Sequence, residues 1–251
     1  MSSKKVPPAS LSKRPRIVFT QGGKGGVGKT DLSLSLVSWY RQNGVAPILF
    51  DFDIENTNKS GLQNFYPEAR KHDVHRDGAL DEVFEVCDQD AVEIVLADLG
   101  AGAGNAAYQW FDSAYDDAVE LGIRFTAIGV TTNEAGSVLS ILKWADHLQD
   151  KVDYLIVLNA MGDAQGGFEY WHSEPAVTEF VDTFHPVIMH MDARVPEFQS
   201  ELRNQVYTLQ DVIDGKVPSP FLRRMKNRMR AKRNQRILFE GFDCASAILL
   251  P

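Results

Sequence analysis

One segment limits what this chain can fold into more than any other: Ile17-Val-Phe-Thr-Gln-Gly-Gly-Lys-Gly-Gly-Val-Gly-Lys-Thr30. An apolar run passes into a stretch holding five glycines in nine residues, and Leu32, Leu34, Leu36, Val37 and Tyr40 then mark one face of a helix. Gly23 to Thr30 satisfies G-x-x-x-x-G-K-[ST] in the strand–loop–helix order that this motif needs. Glycines allow successive backbone N–H groups to turn inward around an anion, and the helix N-terminus adds its positive end. Such a loop cradles phosphates. Gly23, Lys24, Gly25, Gly26, Val27, Gly28, Lys29 and Thr30 are therefore the predicted nucleotide contacts. Lys29 is placed to bridge the β- and γ-phosphates, and the Thr30 hydroxyl to ligate Mg²⁺. A glycine-rich turn that binds nothing is the bland alternative; the complete motif in its proper setting argues against it.

Around this loop, short apolar runs alternate with helical patterns, which predicts an α/β fold with a doubly wound, mostly parallel sheet. Strands are expected at Arg16–Thr20, Pro47–Asp51, Glu93–Asp98, Arg124–Val130, Tyr154–Asn159 and Pro186–Met189. Most are apolar without alternation, as strands covered on both faces are. Helices fit Lys29–Asn43, Asn105–Leu121, Ala135–Gln149, Pro175–Thr183 and Phe221–Arg236, with shorter ones over Leu80–Cys87 and Thr208–Asp214. With 251 residues and 44% hydrophobic content, one core is expected. The expected division is a flexible basic tail over 1–15 and one P-loop domain over 16–251. No run of eighteen apolar residues suits a membrane span, and no apolar stretch follows the basic start as in a secretory signal. Cys87 and Cys244 lie far apart and form no metal or disulfide pattern, so a cytoplasmic protein is expected.

Two further strands end in acids. Ile48-Leu-Phe-Asp-Phe-Asp-Ile54 closes the second, and Ile94-Val-Leu-Ala-Asp-Leu-Gly-Ala-Gly102 carries Asp98 at the end of the third. Ligands of open parallel sheets sit beyond the carboxyl ends of the strands, so these acids should face the phosphate loop. An Asp at the end of a buried strand is the usual Mg²⁺ anchor of P-loop enzymes, which makes Asp98 the Walker B residue. The plainer reading is an Asp that caps the next helix.

Lys24-Gly-Gly-Val-Gly-Lys-Thr30 resembles the deviant Walker A box of the ParA/MinD group of P-loop ATPases, which carry an additional lysine early in the loop. The resemblance implies ATP as ligand, a homodimer on ATP binding, and Lys24 reaching the partner subunit's nucleotide as a catalytic cation beside Lys29. It implies that Asp51 supports the metal, together with Thr30 and Asp98, and that catalytic Asp53 orients the attacking water. It also implies a first switch over Ile54–Ser60, including Asn56 and Asn58, and a second over Leu99–Gly104. Leu99-Gly100 departs from the family's usual Pro or Ser after the Walker B Asp. Asn159 lies where relatives place an Asn against the adenine edge; an ordinary Asx turn is the equal alternative. Asp192 to Pro196 would close the pocket. The resemblance covers about Arg16 to Asp211.

Charge is divided unevenly. Residues 221–236 hold eight Lys/Arg and no acid, and the first sixteen residues hold five and no acid. That leaves 13 of the 26 Lys/Arg against all 34 Asp/Glu elsewhere, a net of −21. An acidic body with basic ends predicts an anionic partner for the ends. Arg223, Arg224, Lys226, Arg228, Arg230, Lys232, Arg233 and Arg236 would repel one another by about 0.2–0.5 kcal/mol per adjacent pair without one. Leu222, Met225 and Met229 form a meagre apolar stripe among them, so non-specific DNA fits better than an anionic membrane, which wants bulky apolar residues opposite the cations.

The expected function is an ATPase switch that positions DNA or another large cargo, associated with the nucleoid and stimulated by a cargo or adaptor protein. A membrane-associated positioning ATPase and a metabolic ATP-dependent ligase are the alternatives; for the ligase no substrate pocket with its own cations is visible. Phe168-Glu-Tyr-Trp-His172 reads as an aromatic loop, a partner contact or a lid. His72 and His75 read as surface residues.

Overall fold

A computed structural model of the chain describes residues 14–21, 23–54, 61–89, 92–161 and 167–251. The strands are β1 (Arg16–Thr20), β2 (Ile48–Phe52), β3 (Arg70–Lys71), β4 (Ile94–Leu99), β5 (Arg124–Thr131), β6 (Asp153–Asn159) and β7 (Val187–Met191). The first helices are α1 (Lys29–Gln42), α2 (Leu62–Phe65), α3 (Asp81–Glu85), α4 (Gly104–Glu120), α5 (Ala135–Leu148) and α6 (Glu169–Ser173). Those that follow are α7 (Pro175–Phe184), α8 (Pro196–Gln205), α9 (Leu209–Asp214), α10 (Pro220–Arg223), α11 (Met225–Cys244) and α12 (Ser246–Leu249). All seven strands run parallel in the order β3-β2-β4-β1-β5-β6-β7.

Alternation inside each strand explains why their sequences read as unbroken apolar runs. In β6, Tyr154, Ile156 and Leu158 join one core layer with α4, α5 and α7. Leu155 and Val157 join the opposite layer with α1, α8 and α11. Both faces are covered, so polar alternation has no place. The loop-bearing β1 lies between β4 and β5, where the chain's direction of winding reverses, and its carboxyl end opens a crevice there.

The six expected strands are all present, within two residues of their expected bounds. The two-residue edge strand β3 carries no apolar pattern and was not predicted, and neither were α2, α6, α8 and α12. Three expectations are corrected. The aromatic segment is the helix α6, with Phe168 and Trp171 only 2% and 3% exposed, so its aromatics serve the core and do not form a lid. The expected helix Phe221–Arg236 is broken at Arg224, whose ψ of 137° is extended, and α11 runs on to Cys244. Leu222, Met225 and Met229 do not form one stripe: Leu222 is buried, Met225 and Met229 are 81% and 60% exposed, and Asn227, Ala231, Leu238 and Phe242 face inward.

The chain's last apolar segment is docked as well. Arg16, 1% exposed at the start of β1, donates to Thr126 Oγ1 (2.7 Å), Asp153 Oδ2 (2.6 Å) and the Leu250 carbonyl (3.1 Å). Tyr40 Oη donates to the Leu249 carbonyl at 2.9 Å. Ala245 and Leu249 are fully buried by this pinning.

Candidate functional site

The phosphate loop has the backbone its sequence demands. Gly23, Gly26 and Gly28 have φ values of +132°, +74° and +102°, which side-chain-bearing residues rarely adopt. At Gly28 the requirement is doubled, because a Cβ there would lie 2.5 Å from Asn159 Nδ2. Gly28 is also the N-cap of α1, so the helix's first N–H groups open onto the cleft. Lys29 Nζ donates to the Lys24 carbonyl at 3.0 Å, bending its side chain back over the loop. Gly23 N–H donates to the Ala101 carbonyl at 2.9 Å, which ties the loop to the turn after β4.

The cleft is about 170 Å³ and is lined by Gly25, Gly26, Gly28, Lys29, Thr30, Asp31, Leu34, Asp53, Phe65, Ala101 and Arg203. Five of the predicted phosphate-loop residues and Asp53 therefore share one space. Asp53 is 8% exposed on its wall. Gly100 lets the two loops meet, since a Cβ on it would come within 3.1 Å of Asp53 Cα.

Asp51 and Asp98 are register partners on β2 and β4, and both are buried. Asp98 Oδ1 accepts hydrogen bonds from Thr20 Oγ1 and Ser33 Oγ, each at 3.0 Å, while Oδ2 is buried and has no hydrogen-bond partner among the described residues. Burial pushes the Asp98 carboxyl up to about 6, and the Asp51 carboxylate alongside adds to this. The Thr30 and Ser33 hydroxyls and Lys29 work in the opposite direction. Asp51 has both oxygens engaged: Oδ1 accepts from Asp53 N–H (3.1 Å), and Oδ2 accepts from Gln63 N–H (3.0 Å) with Lys71 Nζ 4.0 Å away. Asp51 thus braces the two ends of the segment between β2 and α2. Most of the expected first switch, residues 55–60, lies outside the described residues.

A Mg²⁺-nucleotide complex fits this chemistry. Asp98 offers an unpartnered buried oxygen beside Thr30, and the loop offers inward N–H groups and a lysine. Among the described residues no three His, Cys, Asp or Glu side chains converge on a metal position, so hydroxyl, water and phosphate oxygens would have to complete an octahedral ion's shell.

Asn159 lies beneath the loop and not on the cleft wall. Its Nδ2 donates to the Val27 carbonyl at 2.8 Å, and its Oδ1 accepts from Met161 N–H at 3.1 Å, the second being an Asx turn. Lys24 pairs with Glu134 of its own chain at 3.0 Å, and both side chains are about half-exposed or more. The eight cations of the C-terminal segment lie on α10, Arg224 and α11, in a group separate from the cleft. Arg223 donates to the Val217 carbonyl and Arg230 to Asn227, while Arg233 and Arg236 pair with Asp192 and Glu240.

Sequence reasoning missed Thr20 and Ser33, which hold Asp98, and Arg194, Gln199 and Arg203, which converge on Asp31. A signal did exist for the last group: an acid directly after the phosphate-loop Thr30 calls for a nearby cation.

The family model of the CobQ/CobB/MinD/ParA nucleotide-binding domain matches residues 18–234. No curated protein sequence matches the chain. Among solved structures, the fold is similar to that of the MinD cell division protein of Aquifex aeolicus. That likeness has a TM-score of 0.50 at 16% identity and covers 94% of this chain and 99% of that one. The match spans a lysine-bearing glycine loop at the sheet's switch point and the acids near the carboxyl ends of β2 and β4, and the chain belongs to the CobQ/CobB/MinD/ParA nucleotide-binding domain family.

Proposed function

We propose that the chain is an ATP-dependent switch that closes as a homodimer on Mg²⁺-ATP, binds DNA non-specifically in that state, and releases it after slow hydrolysis. The observation that carries this reading is the single cleft where the phosphate loop, Lys29 and Asp53 meet, backed by the buried Asp51–Asp98 pair. The loop amides and Lys29 bind the phosphates; Thr30 would hold the metal, with Asp98 and Asp51 behind it. Mg²⁺, when bound, supplies neutralisation of phosphate charge. Asp53, on the cleft wall, orients the attacking water and takes its proton. Lys24 leaves Glu134 and turns to the partner subunit's nucleotide on dimerisation. Ile54, Met161 and Val195, each 38–43% exposed, follow β2, β6 and β7 at the sheet's carboxyl edge and give the dimer its apolar contacts.

DNA is the favoured surface because Lys226, Arg228 and Lys232 are exposed and have no acidic partner among the described residues. DNA phosphates would relieve their mutual repulsion. The positioned cargo is DNA or an assembly carried on it, and a cargo or adaptor protein stimulates hydrolysis. Exposed Met225 and Met229 support a second reading, an anionic membrane surface. Two methionines make a narrow apolar face, and the apolar C-terminal segment is occupied in the core.

Steady-state ATPase and co-sedimentation assays with DNA, anionic vesicles and small metabolites test the reading. ATP-loaded protein should be retained on DNA in a salt-sensitive way. Lys29→Ala should abolish ATP binding, and Asp53→Ala should keep binding but stop turnover and hold the dimer. Retention on vesicles alone would select the membrane reading, and stimulation by metabolites alone would indicate a ligase. Normal ATP affinity in Lys29→Ala would remove the loop assignment.

A further inference from the structure

Asp31 follows Thr30 in the first turn of α1 and lines the nucleotide cleft. An acid there opposes a phosphate, so its partners matter. Asp31 Oδ2 accepts from Gln199 Nε2 at 2.7 Å and from Arg203 at 2.8 Å. Arg194 donates to Gln199 Oε1 at 2.8 Å and lies 3.7 Å from Asp31 Oδ1. All three partners come from α8 or the turn before it.

Among the described residues the cluster holds two guanidinium groups against one carboxylate, and one terminal nitrogen of Arg194 is buried with no hydrogen-bond partner there. Among the described residues it is one anion short, beside a loop built to receive anions. Its two arginines are not equivalent. The Arg194 side chain is 10% exposed and fixed; that of Arg203 is 46% exposed and lies on the cleft wall with Lys29 and Asp53. A half-exposed ion pair is weak, whereas a guanidinium matches phosphate oxygens with paired, charge-assisted hydrogen bonds.

We propose that Arg203 is a nucleotide-binding residue: when a nucleoside di- or triphosphate fills the cleft, Arg203 exchanges the Asp31 carboxylate for phosphate oxygens, while Arg194 and Gln199 stay on Asp31. The exchange rests on the nucleotide-binding reading of the cleft. It makes α8 part of the site and gives Asp31 the role of a competitor that holds Arg203 while the cleft is empty.

Calorimetric titration of Mg²⁺-ATP into the full chain tests the exchange, with Arg203→Gln, Asp31→Asn, the double variant and Lys29→Ala side by side. Arg203→Gln should weaken binding roughly tenfold, the loss of one charge-assisted interaction. Asp31→Asn should tighten it several-fold, because the competitor is gone, and this gain should shrink to near nothing when Arg203 is already glutamine. Unchanged affinity in Arg203→Gln, or the same gain from Asp31→Asn in both backgrounds, would overturn the proposal. So would weakening by Asp31→Asn, the mark of a mere tether between α1 and α8. If Arg203→Gln loses its thermal transition, the sign of the Asp31→Asn effect decides alone. Should the unsubstituted protein bind while Lys29→Ala does not, and Arg203→Gln bind normally, Arg203 alone is excluded. No binding by the unsubstituted protein would remove the cleft reading and the exchange together.

Discussion

At the scale of single residues, the site depends on positions where only one side chain, or none, is tolerated. Gly28 combines a φ of +102° with an amide 2.5 Å from its missing Cβ, so even alanine would push Asn159 off the Val27 carbonyl. Asp98 is held by the Thr20 and Ser33 hydroxyls yet keeps one oxygen unpartnered among the described residues, a costly state for a buried carboxylate unless a cation is delivered to it. Val206 shows the opposite case, a β-branched residue at φ 57°, ψ 52° that ends α8 in the left-handed region. That conformation costs a residue with a Cβ about 1–2 kcal/mol, and glycine returns part of the gain as chain entropy. Val206→Gly should therefore stabilise the fold by about 0.5–1 kcal/mol, seen as a melting-temperature rise of roughly 1–4 °C. A lower melting temperature would mean that the valine's packing outweighs its backbone strain.

At the scale of elements, the broken α10–α11 segment matters most. The break at Arg224 and the inward face of Asn227, Ala231, Leu238 and Phe242 leave Arg224, Lys226, Arg228 and Lys232 exposed. Arg223 and Arg230 are partly spent on their own chain, donating to Val217 and Asn227. Neutralising Arg224, Lys226, Arg228 and Lys232 together should leave ATP affinity intact and sharply reduce retention on DNA. The slope of log affinity against log salt should fall by up to about four, roughly one for each phosphate no longer neutralised. Retention with an unchanged slope would show that the surface-binding cations lie elsewhere.

At the scale of the whole molecule, the start of β1 is tied to the apolar segment that follows α11. Buried Arg16 links β1 to Thr126 on β5, to Asp153 on β6 and to the Leu250 carbonyl. Arg16→Leu would strand those acceptors. Asp153 is 44% exposed and recovers some solvation, so the expected loss is about 3 kcal/mol, or roughly 6–12 °C of melting temperature. Limited proteolysis should then release the segment after Cys244 early. Neither change would mean that the terminal segment is held by packing alone.

The sequence by itself determined the parallel α/β sheet, the phosphate loop, and the acids Asp51, Asp53 and Asp98 at strand ends. These are written in local periodicity and in the spacing of one motif, which neighbouring residues enforce without help from distant ones. Only the tertiary structure decided that Arg203, Arg194 and Gln199 meet Asp31, that Asn159 is occupied beneath the loop, that Phe168 and Trp171 are core residues, and that Met225 and Met229 face outward. Each of these depends on which distant segment lies opposite. Asp31 and Arg203 are separated by 172 positions in the chain, and no periodicity within either helix encodes the other's place on the same face of the sheet.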